Sequence, residues 1–388
     1  MSFNLAAELQ QKKTDGLYRQ RRTLGSAQGA RVQMDGRELL NFCSNDYLGL
    51  ANHPDAVAAF QAAAGKYGVG SGASHLVCGH SSEHHALEEE LAEFTGRERV
   101  LLFSTGYMAN TGIVQALLGR GDAVFEDRLN HASLIDGGLA SGAQFQRYRH
   151  NDVAHLHECL ENSGARKKLI VTDGVFSMDG DVAPLPDLAR LAQQHDAWLM
   201  VDDAHGFGVL GSHGGGVAEH FSLGAAQLPV LMGTLGKSVG TFGAFVAGDA
   251  TLIEYLINTA RPYIFTTALP PAIAAASRAS LKLLREAGPR REKLTKLVAY
   301  FRREAAVLGL DVLPSTTPIQ PVLLGSNARA LDWSAALEAK GFLVGAIRPP
   351  TVAVGAARLR ITFSAAHDLA DVDSLLQALA DCRHLGTP

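Results

Sequence analysis

The chain reads as an α/β protein, a mostly parallel central sheet covered by helices, followed by a smaller α+β domain. Three observations lead there. Apolar strand patterns alternate with amphipathic helical patterns from about residue 50 to 280, which implies parallel strands buried on both faces. Several of those strands end in small or polar residues that open a loop, where the ligand site of such a sheet lies. The double proline Pro270-Pro271 breaks this pattern, and a long helical stretch then leads into a differently organised C-terminus.

A segment of 388 residues is too long for one small core and suits a large domain with a smaller one. The boundaries expected are 1–44 for an N-terminal helix and hairpin, 45–280 for the large domain and 281–388 for the small one. Residues 4–24 read as a helix ending in the basic cluster Arg19, Arg21 and Arg22, and Asp35-Gly36 sits at the tip of a hairpin over 33–42. In the large domain, helices are expected at 54–66, 82–95 and 107–118, and strands at 99–103, 122–125, 168–172, 198–202, 229–233 and 243–247. The small domain has strands near 319–324, 342–347 and 357–363, with helices at 328–340 and 368–383.

Composition excludes several functions. Charged residues make up 19% and the net charge is −4, so nothing electrostatic favours nucleic acid or an anionic membrane surface as partner. The four cysteines, Cys43, Cys78, Cys159 and Cys382, lack CxxC spacing, which argues against a disulfide framework or a zinc site and fits a reducing cytoplasm. Neither an apolar signal region nor a run of about 18 apolar residues occurs, so neither secretion nor membrane insertion is expected.

The stretch Leu231-Met232-Gly233-Thr234-Leu235-Gly236-Lys237-Ser238-Val239-Gly240 carries the strongest chemical signal. A lysine where a buried strand hands over to a glycine-rich loop, flanked by Leu235 and Val239, is partly desolvated, and desolvation makes an amine nucleophilic. Such a lysine suits Schiff-base chemistry. A Walker phosphate loop matches at Gly236, Lys237 and Ser238, but its first glycine would fall at Leu231, inside the strand. The competing reading is a loop lysine reaching to water.

Partners for Lys237 come from three other stretches. Ala197 to Gly206 is an apolar strand ending in Asp202, with His205 three residues on, so both can meet one ligand at the sheet edge. Gly206, Gly208 and Gly211 satisfy G-x-G-x-x-G, yet no amphipathic helix opens there and no acid stands about 20 positions later, so dinucleotide binding is set aside. In Phe103 to Asn110 a strand, a small-residue turn and a helix start offer free N–H groups to a phosphate. His131 could be a core histidine, a stacking face or a metal ligand, and with no second histidine at ligand spacing no metal is expected there.

A lysine, an aspartate, a histidine and a phosphate cradle together describe pyridoxal 5′-phosphate, and the chain resembles the α-oxoamine synthases, fold-type I enzymes of that cofactor. The resemblance runs nearly end to end, through Ser44–Leu50 (SNDYLGL), Gly174–Asp181 (GVFSMDGD), Val201–Gly206 (VDDAHG), Gly236-Lys237 and Ile347–Val352 (IRPPTV). It implies that Lys237 holds the cofactor and acts as the base at Cα, that Asp202 keeps the ring nitrogen protonated, that His205 bonds the ring oxygen and that His131 stacks on the ring. Gly106 and Tyr107 would meet the phosphate, with Ser177 and Thr234 adding contacts. Arg348, Asn45, Thr351 and Arg21 would face the substrates, Arg348 taking the amino-acid carboxylate. The implied reaction is a decarboxylative condensation of L-alanine with pimeloyl-CoA or pimeloyl-[acyl-carrier protein], serving biotin synthesis, with glycine C-acetyltransfer as the alternative. The resemblance further implies a homodimer, with Thr266, Thr267 and the loop Gly68–Gly72 as candidates to cross between subunits. Asp173 stands where glutamate is common among such relatives, and its role is left open by the sequence.

Overall fold

The computed structural model describes residues 3–384. Its strands in chain order are β1 (Arg31–Met34), β2 (Arg37–Asn41), β3 (Arg99–Phe103), β4 (Ala123–Asp127), β5 (Gln144–Tyr148), β6 (Lys168–Asp173), β7 (Trp198–Asp202), β8 (Val230–Thr234), β9 (Ala244–Gly248), β10 (Ile319–Gly325), β11 (Phe342–Leu343), β12 (Gly345–Ile347) and β13 (Ala357–Thr362). The contacts cluster into two compact units. The larger comprises Leu50–Ser177 and Val182–Arg291, the smaller Met1–Gly49, Met178–Asp181 and Glu292–Pro388. The first 49 residues thus group with the C-terminal part, whereas the sequence reading set 1–44 apart and drew its last boundary at 280.

In the larger unit seven strands form one sheet in the order β3-β9-β8-β7-β6-β4-β5. β9 runs antiparallel to both β3 and β8, while β4 to β8 are mutually parallel, so the sheet is mostly parallel as expected. Because β9 alone is reversed, β3 ends at the same edge as β4, β6, β7 and β8. The apolar residues of these strands are buried with the helices between them: Phe103, Ile113, Val124, Leu134, Val171, Met200, Met232 and Val246 share one core. Each such side chain contributes about 1.5 to 3 kcal/mol by leaving water. The helix Leu185–Gln194 shows the pattern cleanly, burying Leu185, Leu188, Ala189, Leu191 and Ala192 at helical spacing.

The sequence reading did not assign β5 a strand or the helices Ala132–Ala140 and Val153–Glu161 their bounds. β5 is an edge strand that pairs only with β4 among the described residues, and its Gln-Phe-Gln-Arg-Tyr run has only two apolar residues to announce it.

The smaller unit holds two three-stranded sheets, β1-β2-β11 and β10-β13-β12. The hairpin β1–β2 turns at Asp35 (φ 49°) and Gly36 (φ 78°), the two left-handed residues that a two-residue hairpin loop requires. The N-terminal helix is shorter than the expected 4–24: it spans Leu5–Thr14 and buries no residue. Asn4 caps its start, and Gly16 (φ 65°) closes its end by donating to Lys13 O while Leu17 donates to Lys12 O. The arginines at 19, 21 and 22 therefore lie beyond the helix, in chain without regular structure.

Candidate active site

Five strands of the larger sheet deliver side chains to one edge. β7 ends in Asp202, which is 4% exposed. Its Oδ1 accepts the Ala204 N–H at 2.9 Å and its Oδ2 accepts Asn110 Nδ2 at 2.6 Å, so both carboxylate oxygens are oriented before any ligand arrives. Three residues on, His205 is 7% exposed, and its Nε2 lies 2.8 Å from Lys237 Nζ. Lys237 follows β8, the neighbour of β7, with Leu235 and Val239 fully buried on either side. The loop carrying it is tight. Gly240 has φ 75°, and a Cβ there would stand 2.5 Å from the Ala51 backbone nitrogen, so only glycine fits.

Thr234, the last residue of β8, donates through Oγ1 to Gly243 O at 3.0 Å and accepts the Gly236 N–H at 3.2 Å, which closes the turn before the lysine. β3 leads through Thr105 into the helix Gly106–Leu117, and the Thr105 hydroxyl caps it by accepting the Met108 N–H at 3.2 Å. The first N–H groups of that helix, at Gly106 and Tyr107, have no partner within the helix and bear its positive end, as an anion requires. Tyr107 is exposed and its hydroxyl donates to Asp136. Ser177 is half-buried in the loop that follows β6.

His131 follows β4 and starts the helix Ala132–Ala140. A backbone N–H can only donate, so the 3.3 Å contact from Ser133 N makes His131 Nδ1 an acceptor and puts the ring proton on Nε2. Ser133 Oγ lies 2.7 Å from the same Nδ1 and accepts from Asn110 Nδ2 at 2.9 Å. Asn110, fully buried, therefore ties Asp202 to the residue that orients His131. The sequence reading missed it, since a helix-interior asparagine carries no signal until its neighbours are known.

Asp173, whose role the sequence left open, ends β6 beside Asp202 in register. Its Oδ2 accepts the His131 N–H at 2.8 Å and its own N–H donates to Asn130 Oδ1 at 3.1 Å. Burial, then the charge of Asp202, pushes its carboxyl well above the usual range, so it holds His131 while adding little negative charge beside Asp202. Asp203 plays a structural part. Completely buried and pushed up by that burial, it accepts the Val217 N–H at 2.8 Å.

The remaining candidates belong to the smaller unit and are described within it. Arg348 follows β12; its Nη1 donates to Gly16 O and its Nε is buried with no partner among the described residues. Burial and the neighbouring Arg19 lower its pKa, the situation of a cation prepared for an anion. Thr351 Oγ1 accepts from Arg19 Nη2 at 3.3 Å, and Arg19, Arg348 and Thr351 line one groove with Leu17, Tyr18 and Gln20. Arg21 is exposed and does not line that groove, while Arg22 is taken up by Asp35 and Glu338. Asn45 Oδ1 accepts from Arg360 Nη1 and Nη2, both at 3.2 Å, and from the Tyr47 hydroxyl at 3.2 Å. Arg358 binds Asp179 at 2.7 Å with only 7% of its side chain exposed, anchoring the 178–181 segment.

At the edge of the large sheet an amine, a buried carboxylate, an imidazole beside the amine and a helix start thus converge. Lys237 and Asp202 both act electrostatically on His131 and Asp173, which places the four groups in one neighbourhood. This donor set fits pyridoxal phosphate: a nucleophilic amine for its aldehyde, a carboxylate for its ring nitrogen and N–H groups for its phosphate.

The family profile of class I and II aminotransferases matches residues 37–379. The 8-amino-7-oxononanoate synthase of Methylococcus capsulatus is 63% identical over 381 residues, covering 98% of each chain. That of Cellvibrio japonicus is 61% identical over 377 residues, 97% of this chain and 95% of its own. Among solved structures, the serine palmitoyltransferase of S. paucimobilis with a bound PLP-myriocin aldimine superposes with a TM-score of 0.92 at 32% identity, covering 97% of this chain and 96% of that one. The 8-amino-7-oxononanoate synthase of Francisella tularensis does so with a TM-score of 0.78 at 31% identity, covering 88% and 97%. No helix of the described residues is long and apolar enough to cross a membrane. With this fold, this donor set and relatives alike over nearly their whole length, the chain belongs to the 8-amino-7-oxononanoate synthases, pyridoxal-phosphate-dependent acyltransferases of fold type I within the class I and II aminotransferase family.

Proposed function

We propose that the chain condenses L-alanine with pimeloyl-CoA or pimeloyl-[acyl-carrier protein], releasing carbon dioxide and the free carrier and yielding 8-amino-7-oxononanoate for biotin synthesis. The observation that carries this reading is identity of 60 to 63% to eight curated synthases of that name, in a chain whose Lys237, Asp202, His205 and His131 stand at strand ends along one sheet edge. Bound pyridoxal phosphate supplies an electron sink for negative charge developing at Cα.

The chain's own residues do the rest. Lys237 would hold the cofactor through Nζ and, when free, would take the Cα proton of alanine on that nitrogen. Asp202, its oxygens oriented by Ala204 and Asn110, keeps the proton on the ring nitrogen. His205, next to Nζ, donates to the ring oxygen, and His131 covers one ring face. Gly106 and Tyr107 hold the phosphate with the helix start, assisted by Ser177 and Thr234. Arg348 takes the alanine carboxylate in a charge-assisted fork, for which its unpartnered Nε supplies one donor. Asn45 and Thr351 complete the amino-acid end, and Arg21 meets the distal carboxylate of the pimeloyl chain. The working unit is a homodimer in the cytoplasm, with Thr266, Thr267 and Gly68–Gly72 contributed across the subunits.

Product mass spectrometry with a panel of amino acids and acyl thioesters tests the assignment. The expected result is fastest formation of 8-amino-7-oxononanoate from L-alanine and a pimeloyl thioester. Faster turnover of glycine with acetyl-CoA would move the chain to glycine C-acetyltransfer.

A further inference from the structure

A cluster of imidazoles and carboxylates in the larger unit takes no part in this chemistry. His75 begins a single wide turn, His75–Gly79; His80 follows it, and His84, His85 and Glu88 lie in the first half of the helix Ser82–Thr95. We propose that His80, His85 and Glu88 bind a divalent transition-metal cation, with Zn²⁺ the ion their donor set fits.

Helical spacing puts His85 and Glu88, three residues apart, on one face, and the turn brings His80 against it. One donor atom from each of the three lies within 4.8 Å of the others, and His80 Nε2 is 3.9 Å from Glu88 Oε2. Tetrahedral zinc with bonds of about 2.0 to 2.2 Å sets its donors about 3.4 Å apart. Closing the difference takes a small approach of His80 and Glu88 and a rotation of His85, whose side chain is 67% exposed and exchanges its 3.4 Å contact with the equally exposed Glu89 for the ion.

The surroundings prepare the three ligands. Glu88 Oε1 accepts the Leu102 N–H at 3.1 Å, which leaves Oε2 facing His80. Its side chain is only 15% exposed, and burial pushes the carboxyl up to about 8. The nearby cation Arg99 acts on Glu88 but is shared with Glu254 at 2.9 Å, so a divalent ion would add positive charge beside a largely desolvated carboxyl group. His80 Nδ1 lies 2.9 Å from His75 Nδ1, so with the metal on Nε2 the Nδ1–H donates to His75, the outer contact that orients metal-bound imidazoles. His75 is itself fixed, stacked on Tyr263 at 5.0 Å with an interplanar angle of 13°.

The trio His75, His80 and His84 offers equally close nitrogens but is not the site. His84 accepts the Ser81 N–H on Nδ1 at 2.9 Å and faces Leu269 O with Nε2 at 2.6 Å, so both nitrogens are committed. His80, His85 and Glu88 instead line an open recess with Glu89, Glu98 and Arg99, with room for a water as fourth ligand.

The test is Zn²⁺ titration of the dialysed holoenzyme against a chromophoric chelator, with metal content confirmed by elemental mass spectrometry. One equivalent per chain is expected at this site, its affinity lowered about a hundredfold by His85→Ala and about tenfold or more by Glu88→Gln. His85 is a surface residue, so its variant folds. Absence of stoichiometric Zn²⁺ on the native chain, or an affinity unchanged by His85→Ala, overturns the proposal.

Discussion

Replacing Asp202 by asparagine separates the chemical role of this residue from its structural one. The carboxylate offers two acceptor oxygens, one to Ala204 N–H and one to Asn110 Nδ2. An asparagine that keeps the Ala204 contact turns its own NH₂ toward Asn110. Asn110 Oδ1 is buried without a partner among the described residues, so flipping that amide presents an acceptor to the new donor at the loss of its bond to Ser133. The net structural cost is thus about one neutral hydrogen bond, roughly 0.5 to 1.5 kcal/mol. Catalysis loses much more, because an amide cannot hold the ring-nitrogen proton by charge. Breaking a buried ion pair costs about 3 to 5 kcal/mol, and at 1.36 kcal/mol per decade that is roughly two to three and a half powers of ten in kcat/KM. Release of CoA thiol gives the rate and thermal unfolding gives the stability. Turnover within fivefold of native, with a normally folded variant, would show that Asp202 only caps the turn.

Four further outcomes are expected. Arg348→Met, which keeps the stem but removes the guanidinium, raises the KM for alanine about tenfold or more, while Arg348→Lys restores only part because it cannot form the fork. Arg21→Ala raises the KM for the pimeloyl thioester about tenfold or more and leaves alanine binding unchanged; an effect of Arg19→Ala alone would transfer that role to the cation lining the groove. Full activity in a species shown by sedimentation to be monomeric would refute the dimer. Glu126, 0% exposed with Oε1 unpartnered among the described residues, has its carboxyl pushed up to about 7 by burial. The folded chain therefore binds a proton that the unfolded chain has lost between the ordinary carboxylate pKa and about 7, and stability falls as pH rises through that window. Glu126→Gln is expected to gain on the native protein in Tm between pH 5 and pH 9, and a constant difference would contradict the assignment.

Legibility of the fold and the site followed the range of the interactions. Elements written in local chemistry were readable: the hairpin at Asp35-Gly36, the helix over Ser82–Thr95, and strands whose apolar runs end in Asp202 or Thr234. The N-terminal helix was overrun because leucines at 5, 9 and 17 suggest one apolar face, whereas the helix ends at Thr14 and leaves Leu5 and Leu9 exposed. Lys237, Asp202 and His205 could be named since each stands at a strand end with a chemical reason to be there. Asn110 and Asp173 could not be given roles, because theirs consist of contacts to residues 92 and 42 positions away. The same holds for Arg360 on Asn45, across 315 positions, and for Arg358 on Asp179, across 179.

The claim on which the account rests is that the site is organised around Lys237. Borohydride reduction of the holoenzyme, followed by proteolysis and peptide mass spectrometry, tests it directly. The account predicts a single phosphopyridoxyl label, on the peptide containing Lys237; a label on any other lysine would contradict it.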